Sequence, residues 1–336
     1  MIRDGLCFDD VLLVPQHSDI YSRSEVDISV EMGGFKFKNP IIPANMKTVT
    51  GKTMAIAIAQ NGGLAILHRF MTDVEQLDVA SFIVKNNLQN HFALSIGIKS
   101  EDQDILRKYV DLGGKIVCID IAHGDSVQCV GMITWIKETF PKLFIIAGNV
   151  ATASGAKRLW MAGADVVKVG IGPGSLCTTR VETGNGVPQL TALMEVYEQR
   201  EKLTLISKPL YIIADGGIKS AGDIVKALCF SDMVMVGNLF AGCDETPGNI
   251  IKIDGRQYKE YVGSSTHKTN HVEGVAAIVP YKGSYESVQN RLIEGLRSGM
   301  SYQNAHNLIE LKDNPEFVKI SSAGLRESHP HDVIVK

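Results

Sequence analysis

The chain has no C-x-x-C pair, no apolar run near the roughly 20 residues of a bilayer span, and no marked excess of either charge. Each absence closes a class of function. Six cysteines among 336 residues, at 7, 118, 129, 177, 229 and 243, are too sparse and irregular for a disulfide framework or a zinc site. A reduced, cytoplasmic protein is the expectation. A net charge of −3, with 21% charged residues, gives no field that would gather nucleic acid or an anionic membrane, so an anionic ligand must be held locally. The opening residues Met1–Gly5 carry no apolar signal core, and no low-complexity linker divides the chain.

What the chain does contain is rhythm. Short Val- and Ile-rich runs recur at Pro40–Ala44, Gly63–Leu67, Ala93–Gly97, Ile116–Ile121, Leu143–Gly148, Val166–Gly170, Leu210–Ala214 and Met233–Gly237. Such runs read as strands buried on both faces. Amphipathic stretches lie between them, among them Val74–Asn86, Ser126–Glu138, Ala153–Ala162, Gln189–Glu201 and Ser220–Leu228. Eight β-then-α units predict an α/β fold, a (β/α)8 TIM barrel spanning residues 1–336 as one catalytic domain, with reactive groups where strands run into the following loops. Asn45, His68, Asp120, His123, Asn149, Lys168, Cys177, Asp215 and Asn238 fall at or just beyond those strand ends. After the eighth run, residues 254–282 break the rhythm with polar residues and tyrosines and read as a flap or lid over the mouth. Ser287–Gly299 reads as the last helix and 301–336 as a tail.

Two features in this frame carry chemistry. The stretch Gly170-Ile-Gly-Pro-Gly-Ser-Leu-Cys177-Thr-Thr-Arg180 ends a strand in a glycine-rich turn that presents a thiol beside hydroxyls and a guanidinium. That setting favours the thiolate and suits a nucleophile, with Thr179 able to pass a proton if a carboxylate stands behind it. Cys118, Cys129 and Cys229 sit inside apolar patterns and read as small core residues. The second feature is phosphate chemistry. Ala214-Asp215-Gly216-Gly217 and Val236-Gly237-Asn238 end the seventh and eighth runs, where barrels of this kind bind phosphate through loop amides, and Gly174-Ser175 on the sixth could join them. The same glycines also fit a purely conformational role. Neither the dinucleotide fingerprint nor the P-loop spacing is met, which favours a mononucleotide or sugar phosphate.

Taken with Ile119-Asp120-Ile121-Ala122-His123-Gly124 and Phe8-Asp9-Asp10-Val11-Leu12-Leu13, the cysteine loop and the Asp215-Gly216-Gly217 run resemble the IMP dehydrogenase and GMP reductase family over nearly the whole chain. The resemblance implies a homotetrameric barrel that binds a purine mononucleotide and a nicotinamide cofactor and forms a thioimidate between Cys177 and purine C2. Carried over position by position, it implies Ser175, Asp215, Gly217, Gly237, Asn238, Tyr261, Gly263, Ser264 and Ser265 at the nucleotide, and Asp120, Ala122 and Asn149 at the cofactor. Carbonyls of Gly172, Gly174 and Cys177 stand where the family's dehydrogenases bind K+.

Within that family, dehydrogenases hydrolyse the thioimidate with an Arg-Tyr pair on the flap, which is missing from Tyr258–Gly274 here. The flap is similar to that of bacterial-type GMP reductases, and Glu273 matches their proton-handling glutamate beside Thr179. No CBS regulatory insert separates the second and third runs. The resemblance therefore implies reductive deamination of GMP to IMP and ammonia with NADPH as hydride donor, NADH being the alternative. Leu296–Met300 and the tail Ser322–Val333 are more similar to dehydrogenases, and Arg69 stands where many reductases have lysine. A dehydrogenase lacking its regulatory domain, a purine-nucleotide-binding barrel without turnover, and a phosphate-binding barrel of other chemistry are the rival readings.

Overall fold

Each of the eight runs becomes a strand of one parallel sheet, because β-branched residues pack well on a pleated surface buried from both sides. A computed structural model describes residues 2–204, 209–263 and 274–333. In chain order the strands are Ile41–Pro43, Ala65–Leu67, Phe92–Ile96, Ile116–Asp120, Phe144–Val150, Val166–Val169, Tyr211–Asp215 and Met233–Val236. From the second strand to the eighth, neighbours in sequence are neighbours in the sheet, and the eighth returns to the first, with Val234 opposite Ile41 and Val236 opposite Pro43. The result is the expected (β/α)8 barrel, with its seam between the first two strands.

A helix follows every strand, and most start on a residue chosen for the purpose. Thr72, Ser126, Thr152, Ser220 and Ser284 each accept an amide of the first helical turn on the side-chain oxygen. Thr72 and Glu75 complete a capping box. Helices Lys52–Gln60 and Ser100–Asp111 occupy the places after the first and third strands, and Gln189–Thr204 follows the sixth after a loop containing the short helix Thr179–Thr183.

The segment after the eighth strand is more regular than its composition predicts. Ile251–Ile253, Arg256–Val262 and Ala276–Pro280 form a three-stranded antiparallel sheet, with Tyr258 opposite Pro280 and Val262 opposite Ala276. In the middle strand the inward positions are Lys259 and Tyr261, so a lysine occupies a core site and hides the period-two pattern from a hydropathy reading. The tail is also anchored. Phe317–Lys319 pairs antiparallel with Val11–Leu13, Leu308 and Leu311 are buried, and helix Ser322–Glu327 follows.

At the end of the barrel away from the loops just described, Asp232 ties the tail to the base. Its carboxylate accepts from Arg200 at 3.0 Å, Lys312 at 2.6 Å and the Ile212 amide at 2.8 Å. Burial alone would raise this carboxyl, but the two cations and the amide together outweigh it and hold Asp232 below its ordinary range. Removing one member of such a buried cluster strands the others. Asp232→Asn is therefore expected to lower the unfolding free energy by about 3 kcal/mol at neutral pH. Because the folded carboxyl titrates below the unfolded one, that difference is present above the unfolded value of about 3.9 and is lost as pH falls further, which urea denaturation at a series of pH values reads directly.

Candidate active site

Lys168 organises the mouth. Its side chain is 1% exposed, and its ammonium lies 2.7 Å from Asp120 Oδ1 on the fourth strand and 3.0 Å from Asp215 Oδ2 on the seventh. Burial works against the charged amine, yet the two carboxylates more than compensate and raise its pKa. Asp120 is affected in the reciprocal sense: burial pushes it up, while the Lys168 charge and hydrogen bond, with Arg69 and Asn45 nearby, bring it below the usual range. Asn149, on the fifth strand, donates to Asp215 Oδ2 at 2.9 Å and to Gly170 O at 2.8 Å. Its Oδ1 is buried and has no hydrogen-bond donor among the described residues. Four successive strands thus present one network of alternating charge and amide.

The cysteine loop leaves the sixth strand through a contact only glycine permits. Gly170 has φ +151°, and a Cβ there would stand 1.9 Å from the carbonyl oxygen of Asp215. Gln189 Nε2 braces the same place by donating to Val169 O at 2.7 Å and Asp215 O at 3.2 Å. Beyond it, Cys177 is half-buried, and its thiol donates to Thr179 Oγ1 at 3.1 Å. Arg180 donates to Val187 O across the loop. The flap sheet returns to this loop: Cys177 and Gly274 form an antiparallel bridge, and Val275 N donates to Leu176 O at 3.1 Å. The residue that follows Glu273 is therefore held against the nucleophile candidate.

The phosphate candidates converge as well. Gly216 and Gly217, at φ +93° and +80°, pack on Pro173 of the cysteine loop, which joins the sixth and seventh loops. Tyr261, 3% exposed, bridges the flap to the other two loops: it lies beside Ser175, and its hydroxyl donates to Met46 Sδ at 3.7 Å and fills the space where a Gly237 side chain would be. Burial pushes the Tyr261 hydroxyl up to about 12, so it stays protonated at neutral pH. Val262 N donates to Thr48 Oγ1 at 3.0 Å and Gly263 N to Val275 O at 3.0 Å.

Among the residues expected from sequence, Cys177, Thr179, Ser175, Asp215, Gly217, Gly237, Asn238, Tyr261, Gly263, Asp120 and Asn149 lie on the strand ends, loops and flap strand of this mouth. Ala122 is exposed just past Asp120. Gly172 and Gly174 shape the cysteine loop, where Gly174 O accepts from Cys177 N at 3.0 Å. Ser264, Ser265 and Glu273 fall outside the described residues. His68 is buried rather than displayed; burial and then Lys47 lower it to about 4, and its Nδ1 accepts from Phe70 N. Sequence reasoning passed over Gln189 and Thr48, single polar residues inside ordinary patterns that carry no local signal.

The comparisons with known proteins agree with this geometry. A family model described as the IMP dehydrogenase / GMP reductase domain matches residues 5–331. The chain is 41% identical over 315 residues to the GMP reductase of Lactobacillus delbrueckii subsp. bulgaricus, covering 91% of this chain and 92% of that one. It is 35% identical to the inosine-5'-monophosphate dehydrogenase of Borreliella burgdorferi, with 98% of each covered. A crystal structure of a cysteine-to-alanine variant of GMP reductase from Trypanosoma brucei, in complex with guanosine 5'-monophosphate, matches with a TM-score of 0.89 at 28% identity over 99% of both chains. The chain belongs to the IMP dehydrogenase / GMP reductase family.

Proposed function

We propose that this chain is a GMP reductase, converting GMP, NADPH and protons to IMP, NADP+ and ammonium. The observation that carries the reading is the Cys177 thiol, 3.1 Å from the Thr179 hydroxyl and bridged at its backbone to Gly274, on a mouth whose flap sequence has no Arg-Tyr pair to activate water. The Cys177 thiolate attacks C2 of GMP, forming a C–S bond. The C2–N2 bond then breaks, and ammonia departs with a proton relayed through Thr179 and Glu273. NADPH, when bound, supplies a hydride. Its addition at C2 and rupture of the C–S bond return the thiolate and release IMP.

The other assignments follow the same reading. Asp215 keeps Oδ2 on Lys168 and Asn149, leaving Oδ1 for the ribose diol. Ser175, Gly217, Gly237, Asn238, Tyr261, Gly263, Ser264 and Ser265 hold the nucleotide. Asp120, Ala122 and Asn149 face the cofactor; the buried Asn149 Oδ1, which has no donor among the described residues, fits an amide N–H such as a carboxamide offers. Carbonyls of Gly172, Gly174 and Cys177 form a hard-oxygen site for K+. We place the enzyme in the cytoplasm as a homotetramer, with 1–336 as one barrel domain, 254–282 as its flap and 301–336 as its tail.

IMP dehydrogenase activity is the second reading. Its support is that the Borreliella dehydrogenase covers 98% of the chain where the Lactobacillus reductase covers 91%. Mixing enzyme with GMP and NADPH, and following NADPH oxidation alongside ammonium release, is expected to give equimolar products. Steady NADH formation from IMP and NAD+ with no reduction of GMP would establish the dehydrogenase instead. Cys177→Ala is expected to lose on the order of a thousandfold or more in kcat while still binding GMP. Unchanged turnover would exclude the covalent route. Lys168→Met leaves two carboxylates facing each other without their cation, so it is expected to cost about 3 kcal/mol of stability and to lower kcat/KM by at least about tenfold, checked by denaturation and steady-state kinetics.

A further inference from the structure

The flap sheet sends two ammonium groups to the back of the turn that follows the eighth strand. Lys282, just past Ala276–Pro280, is half-buried, and its Nζ donates to the carbonyls of Asn238 and Leu239. The backbone around it is already laced to the turn: Lys282 N donates to Gly242 O at 2.9 Å, and Asp244 N to Gly283 O at 2.9 Å. Lys259, on the middle strand, is 3% exposed and donates to Cys243 O at 3.0 Å, Asp244 O at 3.3 Å and Thr246 O at 2.6 Å. Neither lysine forms an ion pair among the described residues. Taking an ammonium group out of water for carbonyls in place of a bonded carboxylate is costly, which points to a task beyond charge balance.

That task is orientation. A peptide plane sets the carbonyl of one residue opposite the N–H of the next. Gly237 O accepts from Phe240 N and Ala241 N at 3.1 and 2.9 Å, so the Asn238 N–H faces the other way. Lys282 holds the Asn238 carbonyl, so the Leu239 N–H faces away from it too.

We propose that Lys282 is a positioning residue for the nucleotide's phosphate: it holds the carbonyls of Asn238 and Leu239 at the rear of the turn and so presents the turn's amides to the mouth. The inference rests on the reading of this site as one for GMP. Lys282 itself stays behind the turn, with Lys259 fixing the next carbonyls along the chain.

The test compares GMP with guanosine, which differs only by the phosphate. For Lys282→Met, calorimetric affinity for GMP is expected to fall about tenfold, equivalent to about 1.4 kcal/mol, while affinity for guanosine stays the same. In turnover the loss falls on KM for GMP more than on kcat, and Lys282→Arg, which keeps a cationic donor, restores most of it. Equal weakening of GMP and guanosine, or weakening of neither, overturns the proposal. If Lys282→Met does not fold, Lys282→Gln is read by the same ratio. Wild-type enzyme that binds GMP without reducing it refutes the proposed reaction and leaves this comparison standing, whereas failure to bind GMP refutes both.

Discussion

The Lys168 ammonium, almost wholly removed from water, is shared by carboxylates from the fourth and seventh strands. An isolated charge at that depth would be prohibitive, and so would either carboxylate alone. The three groups are therefore obliged to stay together, and the strands that carry them are obliged to end at one level. Asn149 adds the fifth strand by bonding the shared carboxylate, and it also reaches Gly170, from which the cysteine loop departs. The thiol's position is a downstream consequence of a charge-satisfaction problem inside the barrel.

Around that fixed interior, the mouth is finished by chain that arrives later in sequence. Tyr261 is the point of contact, since one buried ring meets Ser175 from the sixth loop and Gly237 from the eighth. A side chain on Gly237 could not coexist with that hydroxyl, so the glycine there records a tertiary neighbour rather than a turn. The flap sheet is thus part of the wall of the mouth, and the chain leading into its return strand bridges to the loop that bears Cys177.

The barrel was legible because its strands are buried on both faces and so announce themselves as continuous apolar runs, and because amphipathic stretches alternate with them. Cys177 and the glycine loops were legible for the opposite reason: polar and conformationally permissive residues interrupt the apolar pattern where the pattern should end. The flap sheet was not, since its inward positions are a lysine and a tyrosine whose polar ends meet carbonyls and a methionine sulfur from distant loops. Gln189 was hidden similarly. It sits among helix formers, and only the folded arrangement shows its amide spanning two strands. What sequence patterns miss here is long-range polar satisfaction, which has no period.

The pairing of Val11–Leu13 with Phe317–Lys319 bears on the order in which the molecule assembles. These strands lie about three hundred residues apart, so closing the loop between them costs chain entropy that only a nearly complete barrel has already met. Such non-local contacts form slowly and late. Just ahead of the first of these strands, Asp9 reaches Lys219 in the loop after the seventh strand, and Lys226 reaches Phe8 O. The N-terminal segment that reaches the rim beside Gly217 is thus backed by a ladder that a nascent chain still lacking its final residues could not form, although every barrel strand would already be present.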